Sequence, residues 1–349
     1  MIRVGIIGLG YWGPNLVRAL ESVDQAEVTA VCDIDRVRLQ VVSHHFPQVL
    51  ATTELEDVLD PARVDAVVIA TPTSTHARLA RKALERGLHV FVEKPLATTS
   101  TDCEELIQLA ERMDRILFVG HVFLYTAAVA KLRELIDVGE MGKVWYISST
   151  RVNLGPVRRD VNALWDLAPH DISIILHLMG EMPESVNCQG NGYLNPRVHD
   201  VCSLTMQFPS GTLAILLASW LDPNKVRRMT VVGDRKMAVY DDVEPQEKIK
   251  IYDKGIQAPP YHQDFAEFQF SYRYGDTRSP RLLEEEPLKA ECRHFIECIE
   301  KGTTPRTDGR NGLEVVRVLE AADASLHDSG GRVSVVPAVI PALVLPIPA

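Results

Sequence analysis

Three groups of residues carry the side chains from which chemistry could be built. Gly8, Gly10 and Gly13 form a G-x-G-x-x-G turn enclosing Tyr11 and Trp12, and Asp33 ends the next apolar run. Glu93-Lys94-Pro95 follows the apolar run 88–92, and Asp166 and His170 stand four apart ahead of the apolar run 172–179. The glycine turn suits a dinucleotide. Gly8 permits a tight turn, Gly10 lets backbone approach a pyrophosphate, Gly13 lets helix and strand pack closely, and the helix start offers free N–H groups to phosphate. A carboxylate at Asp33 accepts hydrogen bonds from a free ribose diol and repels a 2'-phosphate, which favours NAD; Arg36 and Arg38 nearby keep NADP open. Lys94 leaves a strand just before a proline that fixes the backbone, so its side chain can be held rigidly over a bound ring. Asp166 and His170 would share one face of a continuous helix. Pro169, however, suits a first turn, so the helix is expected to begin near Ala168 and the spacing to be a turn entering it. A histidine so placed is more often packed than reactive.

The elements that must position these groups alternate helix and strand through the first third of the chain. Apolar runs at 2–7, 28–32, 66–70, 88–92 and 116–120 read as buried parallel strands, with helical patterns between them. The loop from Thr71 and Pro72 to His76 leaves the carboxyl end of a strand, where ligands bind in such sheets. His76 there either contacts the cofactor or caps the next helix. From His121 the pattern changes to long strand-like runs joined by short turns, the mark of an antiparallel or mixed sheet. The expected fold is α/β: an N-terminal Rossmann doubly wound parallel sheet (1–120), then a C-terminal α+β domain with an open, largely antiparallel sheet (121–334), then a proline-rich tail (335–349). The pattern over 287–301 is an amphipathic helix.

Composition narrows the classes. The chain has 349 residues and a net charge of −10, enough length for two cores and the wrong sign for a nucleic-acid partner. Six scattered cysteines lack any C-x-x-C or zinc spacing, which reads as reduced structural thiols in a cytoplasmic protein with no metal site. No signal peptide or membrane span is expected, since the apolar tail is broken by Pro337, Pro341, Pro346 and Pro348.

Taken together, the residues from Gly8 to Gly13, Ala70-Thr71-Pro72 to His76, Glu93-Lys94-Pro95, Asp166-x-x-x-His170, and Phe295-Ile296 followed by Pro305-Arg306-Thr307-Asp308-Gly309 resemble the glucose-fructose oxidoreductase, inositol dehydrogenase and rhizopine catabolism (Gfo/Idh/MocA) family. The resemblance covers most of the chain. It implies a dehydrogenase using NAD or NADP on a secondary hydroxyl of a sugar, cyclitol or sugar nucleotide, or on the corresponding ketone. It also implies a homodimer or homotetramer built through the C-terminal sheet. By carry-over, Lys94 and His170 lie beside the reacting hydroxyl and Asp166 supports them. These types suit hydride removal from a carbinol: His170 as base, Lys94 as donor to developing alkoxide, Asp166 orienting the imidazole or binding a neighbouring hydroxyl.

The cofactor-binding set implied is Gly8, Gly10, Tyr11, Trp12, Gly13, Asp33, Thr71, Pro72, His76, Glu93, Lys94 and His121. The substrate set is Lys94, Tyr125, Arg151, Asn162, Asp166 and His170, with Arg151, Arg158, Arg159 and Asn162 as contacts for a diphosphate or carboxylate; an ordinary solvated arginine is the competing reading of each. Where many members carry an asparagine-arginine segment, this chain has His121-Val122-Phe123-Leu124-Tyr125, and Val161-Asn162-Ala163-Leu164-Trp165 replaces a glycine-rich approach. Both departures resemble sugar-nucleotide enzymes such as UDP-N-acetylglucosamine 3-dehydrogenases. The alternatives are an inositol or free-sugar dehydrogenase, an NADPH-dependent ketosugar reductase, and, outside enzymes, a dinucleotide-sensing regulator, which would need none of Lys94, Asp166 and His170.

Overall fold

The opening apolar run forms β1 (Ile2–Ile7), and the glycine turn leads into α1 (Gly13–Glu21), whose apolar side Leu16, Val17 and Leu20 is buried. The computed structural model describes residues 1–158, 161–257, 271–283 and 285–335. The proline-rich tail beyond Val335, and Arg159, lie outside them.

Five further strands complete the first sheet: β2 (Ala26–Cys32), β3 (Leu50–Thr52), β4 (Ala66–Ile69), β5 (His89–Glu93) and β6 (Leu117–Gly120). Between them run α2 (Arg36–His45), α3 (Leu55–Val58), α4 (His76–Glu85) and α5 (Ser100–Met113). All pairs are parallel, in the order β3-β2-β1-β4-β5-β6. This is the doubly wound Rossmann arrangement, whose ligand crevice lies where the order reverses, between β1 and β4. Register carries the candidate residues to that edge. Ile7 pairs with Cys32 and Ile69, Ile69 with Val92, and Glu93 with Gly120, so Gly8, Asp33, Ala70, Lys94 and His121 all leave the sheet at its carboxyl ends.

After α6 (Ala127–Asp137) the second sheet begins with β7 (Val144–Val152). Helix α7 (Ala163–Met179) follows, then β8 (Ser185–Asn191), β9 (Val201–Gln207), β10 (Leu213–Ser219), β11 (Val226–Gly233), β12 (Met237–Asp241), β13 (Ile249–Gln257) and β14 (Ser271–Arg278). The chain then forms α8 (Pro287–Lys301), α9 (Gly309–His327) and the short β15 (Val333–Ser334). The nine strands lie in the order β14-β13-β12-β11-β7-β10-β9-β8-β15, antiparallel except for β7 with β10. One face is covered: Ala214, Leu216 and Ala218 of β10 are buried with Ile172, Ile175 and Leu176 of α7 in one apolar core. The alternate residues Ile215 and Leu217, with Tyr146 of β7, are exposed on the other.

The last two helices return to the first sheet. Cys292, Phe295 and Ile296 of α8 join the core beneath Phe91 and Phe118, and Leu313 and Val316 of α9 enter the core on its opposite face. Val315, Val318 and Leu319 on the other side of α9 pack into the second domain. Val119 of the edge strand β6 donates its N–H to the carbonyl of Thr307 at 2.8 Å.

Candidate functional site

A cleft of about 640 Å³ opens along the carboxyl edge of the first sheet, lined by the glycine turn, Asp33, Thr71 and Pro72 at one end and by Glu93, Lys94, Arg158 and Asp166 at the other. The turn's shape follows from its glycines. Gly8 has φ +96°, in the left-handed region, and a Cβ there would stand 2.7 Å from the carbonyl oxygen of Ala70. A Cβ on Gly13 would collide with the carbonyl of Gly8. At Gly10 the reason differs: a Cβ would meet only Nη1 of Arg38, at 3.9 Å, so the space it would fill is open cleft. That is the room a pyrophosphate needs beside bare backbone. Asp33 is anchored by the N–H groups of Leu9 at 2.6 Å and Asp35 at 2.8 Å, with Nη1 of Arg38 3.7 Å from its carboxylate. Trp12 and the exposed Tyr11 flank the same opening. These residues fit a dinucleotide with its diphosphate at the turn and its adenosine ribose toward Asp33.

At the inner end, two domains meet. Helix α7 is capped by Asn162, whose Oδ1 accepts from the N–H of Trp165 at 3.0 Å, and continues through Pro169 to Met179. The expectation of a helix beginning near Ala168 is therefore corrected. Six residues already lie ahead of Pro169, held by this N-cap, and Asp166 and His170 are true one-turn neighbours. Lys94 donates from Nζ to the backbone carbonyl of Asp166 at 2.9 Å. The Asp166 carboxylate faces elsewhere: it accepts from Nε1 of Trp220 at 3.0 Å and from Nη1 of Arg158 at 3.2 Å. It makes no hydrogen bond to His170, whose Nδ1 is enclosed without a partner.

The electrostatics favour a neutral imidazole. Burial, and then the positive fields of Lys94, Arg151, His121 and Arg227, hold the proton affinity of His170 well below the ordinary histidine range. Burial also lowers that of Lys94, partly offset by Asp166 and Glu93. Glu93 is pushed up to about 7 by desolvation, against the pull of Lys94 and its N–H.

Several candidates sit away from the cleft. His76 is buried with Nδ1 2.8 Å from the carbonyl of Pro95 and Nε2 2.8 Å from that of Thr71, so it ties two cleft loops together and neither caps α4 nor lines the cleft. His121 is buried, with both ring nitrogens unpartnered. Tyr125 shares a hydrogen bond with Thr307 Oγ1 at 2.9 Å and lies beneath the guanidinium of Arg306. Arg151 is enclosed in an ion pair with Asp171. Asn162 is the α7 cap, with Nδ2 3.3 Å from Asp323. Sequence reasoning missed Trp220, which no local pattern ties to Asp166, and Arg227, whose place opposite Arg151 follows only from strand register.

Comparison with known proteins settles the family. Residues 2–121 match the family model described as an oxidoreductase family with an NAD-binding Rossmann fold, and residues 129–239 match the Gfo/Idh/MocA C-terminal domain. The chain belongs to the Gfo/Idh/MocA oxidoreductase family. It is accordingly an NAD-dependent oxidoreductase, and its first domain is the NAD-binding one. Among its relatives, the myo-inositol 2-dehydrogenase of Thermotoga maritima is 26% identical, over 94% of this chain and 97% of that one. The UDP-N-acetylglucosamine 3-dehydrogenase of Acidithiobacillus ferrooxidans is 28% identical, over 92% and 95%. A solved structure of the latter superposes with a TM-score of 0.78 at 25% identity, covering 94% of this chain and 98% of that one.

Proposed function

We propose that the protein oxidises a secondary hydroxyl of a hexose-derived substrate, a UDP-hexose type above others, with NAD as hydride acceptor. The observation that carries this reading is the hydrogen bond between Lys94 and Asp166, both lining the inner end of the dinucleotide cleft, one turn of α7 ahead of His170. Bound NAD supplies the hydride acceptor, held by the Gly8–Gly13 turn, Asp33, Thr71 and Pro72. A hydride leaves a carbinol carbon most easily as the hydroxyl proton leaves. Neutral His170 takes that proton, and the Lys94 ammonium, fixed by the Asp166 carbonyl, donates to the developing alkoxide. The Asp166 carboxylate, held by Trp220 and Arg158, accepts from a neighbouring sugar hydroxyl. Arg158 places a cation beside this turn, as a diphosphate or carboxylate requires, and Arg227, paired with Asp242 at 3.4 Å, adds to the positive field there.

The similarity to a UDP-N-acetylglucosamine 3-dehydrogenase supports the nucleotide-linked substrate; the similar share of an inositol dehydrogenase supports a cyclitol or free sugar as the second reading. We also propose a homodimer or homotetramer formed through the exposed sheet face carrying Tyr146, Ile215 and Leu217, and a cytoplasmic site of action, in keeping with six buried, unpaired thiols. The test is absorbance in the reduced-nicotinamide band after adding NAD with UDP-hexoses, free hexoses and inositols in turn. A rise with a UDP-sugar supports the proposal, a rise only with inositols or free sugars moves it to the second reading, and silence with all of them overturns it. His170→Ala should lower turnover on the order of 10²- to 10⁴-fold with NAD affinity nearly intact.

A further inference from the structure

Because the Asp166 carboxylate is committed to Trp220 and Arg158, the orientation of His170 has to come from another source. The imidazole packs edge-on against Phe123, with ring centroids 4.9 Å apart and planes at 71°. The guanidinium of Arg151 lies over the same phenyl ring, 4.6 Å from its centroid. Arg151 Nε donates to Asp171 Oδ2, and Asp171 Oδ1 accepts from Ser149 Oγ at 2.7 Å. Arg151 and Asp171 are each 3% exposed. A buried ion pair contributes little net stability relative to apolar side chains of similar volume, so stability alone does not account for one beside a reactive site.

We propose that Phe123, backed by the buried Arg151–Asp171 pair, is the positioning device for His170: the phenyl ring fixes the plane of the imidazole, and the captive guanidinium fixes the phenyl ring. The inference rests on the assignment of His170 as base. Arg151 fits the task because its guanidinium is flat, stacks on an aromatic face and is permanently charged. The groups whose fields reach His170 come from four other elements: Lys94 after β5, His121 after β6, Arg151 on β7 and Arg227 on β11. Asp166 and Asp171 are the carboxylates beside it on α7, and both face away, toward Arg158 and Trp220 and toward Arg151 and Ser149. Phe123 is therefore a positioning residue, and so is Arg151, in place of the substrate contact expected from the sequence.

The test reads His170 directly. Proton–carbon spectra of ring-labelled histidine, with the His170 signal identified by its loss in His170→Gln, are followed against pH in the NAD-bound protein. Phe123→Leu should abolish the ring-current displacement of that signal, whereas Phe123→Tyr should retain it. The paired change Arg151→Gln with Asp171→Asn, which removes both charges and keeps the shapes, should raise the His170 midpoint. With a substrate that turns over, Phe123→Leu should lower kcat on the order of 10- to 100-fold with KM nearly unchanged. An unmoved His170 signal and midpoint in both Phe123→Leu and the paired variant would overturn the proposal. Altered His170 spectra with no turnover on any polyol would uphold the positioning device while removing the assignment of His170 as base.

Discussion

Replacing Gly10 by alanine separates cofactor seating from folding, because the new methyl group points into the cleft and not into the protein. Its Cβ would have one neighbour, Nη1 of Arg38 at 3.9 Å, and Gly10 is not among the glycines with positive φ. The cofactor-free protein should thus fold as before. Loss of glycine's freedom in the unfolded chain would stabilise it by about 0.4–1 kcal/mol. In the complex the methyl group stands where backbone must approach a diphosphate. Losing one hydrogen bond to a charged group costs about 1.5–3 kcal/mol, which weakens NAD binding about 10- to 150-fold. Isothermal titration with NAD alone measures this without any knowledge of the substrate, and a thermal melt of the unliganded protein supplies the control. Gly13→Ala should behave in the opposite way, lowering the melting temperature first, since its Cβ would strike the Gly8 carbonyl, a backbone atom with no freedom to swing aside. Wild-type NAD affinity in Gly10→Ala, with a melting temperature no lower than wild type, would refute the seating of the diphosphate on this turn.

Three further outcomes are expected. Asp33→Asn keeps an acceptor for the N–H of Leu9 but removes the charge, so the preference for NAD over NADP should fall about tenfold or more in paired titrations; an unchanged ratio would place the ribose elsewhere. Trp220→Phe removes the indole donor to Asp166 Oδ2 at a cost of about 1.5–3 kcal/mol, and should reduce kcat/KM with NAD affinity intact; equal losses in both would point to a general structural role. Burial depresses His89 to about 4 and His121 to about 3 in the folded state. Unfolded chains then bind more protons below about pH 6.5, and the stability present above that pH is lost as pH falls toward 4. Glu93, raised to about 7, opposes this with a contribution present below its unfolded pKa and lost as pH rises through 7. Urea midpoints at pH 7, 6 and 5 should decline in that order; a rise on acidification would show the carboxylate prevailing.

What could be read in advance was whatever the backbone demands locally. Gly8, Gly10 and Gly13 each answer a steric requirement of one turn, and alternation of strand and helix leads to a doubly wound parallel sheet, so cleft and cofactor were legible together. The spacing of Asp166 and His170 was legible too, though Pro169 suggested a break that the Asn162 cap and the tertiary packing of α7 override. Partners were not legible. Asp166 meets Trp220, just past the end of β10 and 54 residues away, and whether Arg151 points to substrate or to Asp171 depends on the parity of β7 and its placement over α7. Tyr125 and His76 fell in the right segments, but one turns to Thr307 and the other to two backbone carbonyls. For α8 the amphipathic pattern announced a buried face without naming what would bury it.

The return of α8 and α9 to the first sheet bears on how the chain acquires its shape during synthesis. Phe295 closes an aromatic cluster with Phe91 and Phe118, at 5.5 and 5.3 Å, and Gly312 packs against Val119 and Leu96. A nascent chain can form the parallel strands early. It cannot complete either face of that sheet until residues near 320 have left the ribosome. The nucleotide-binding half is therefore not a portable module: cut out at residue 120, it would carry two unroofed apolar surfaces and be prone to self-association.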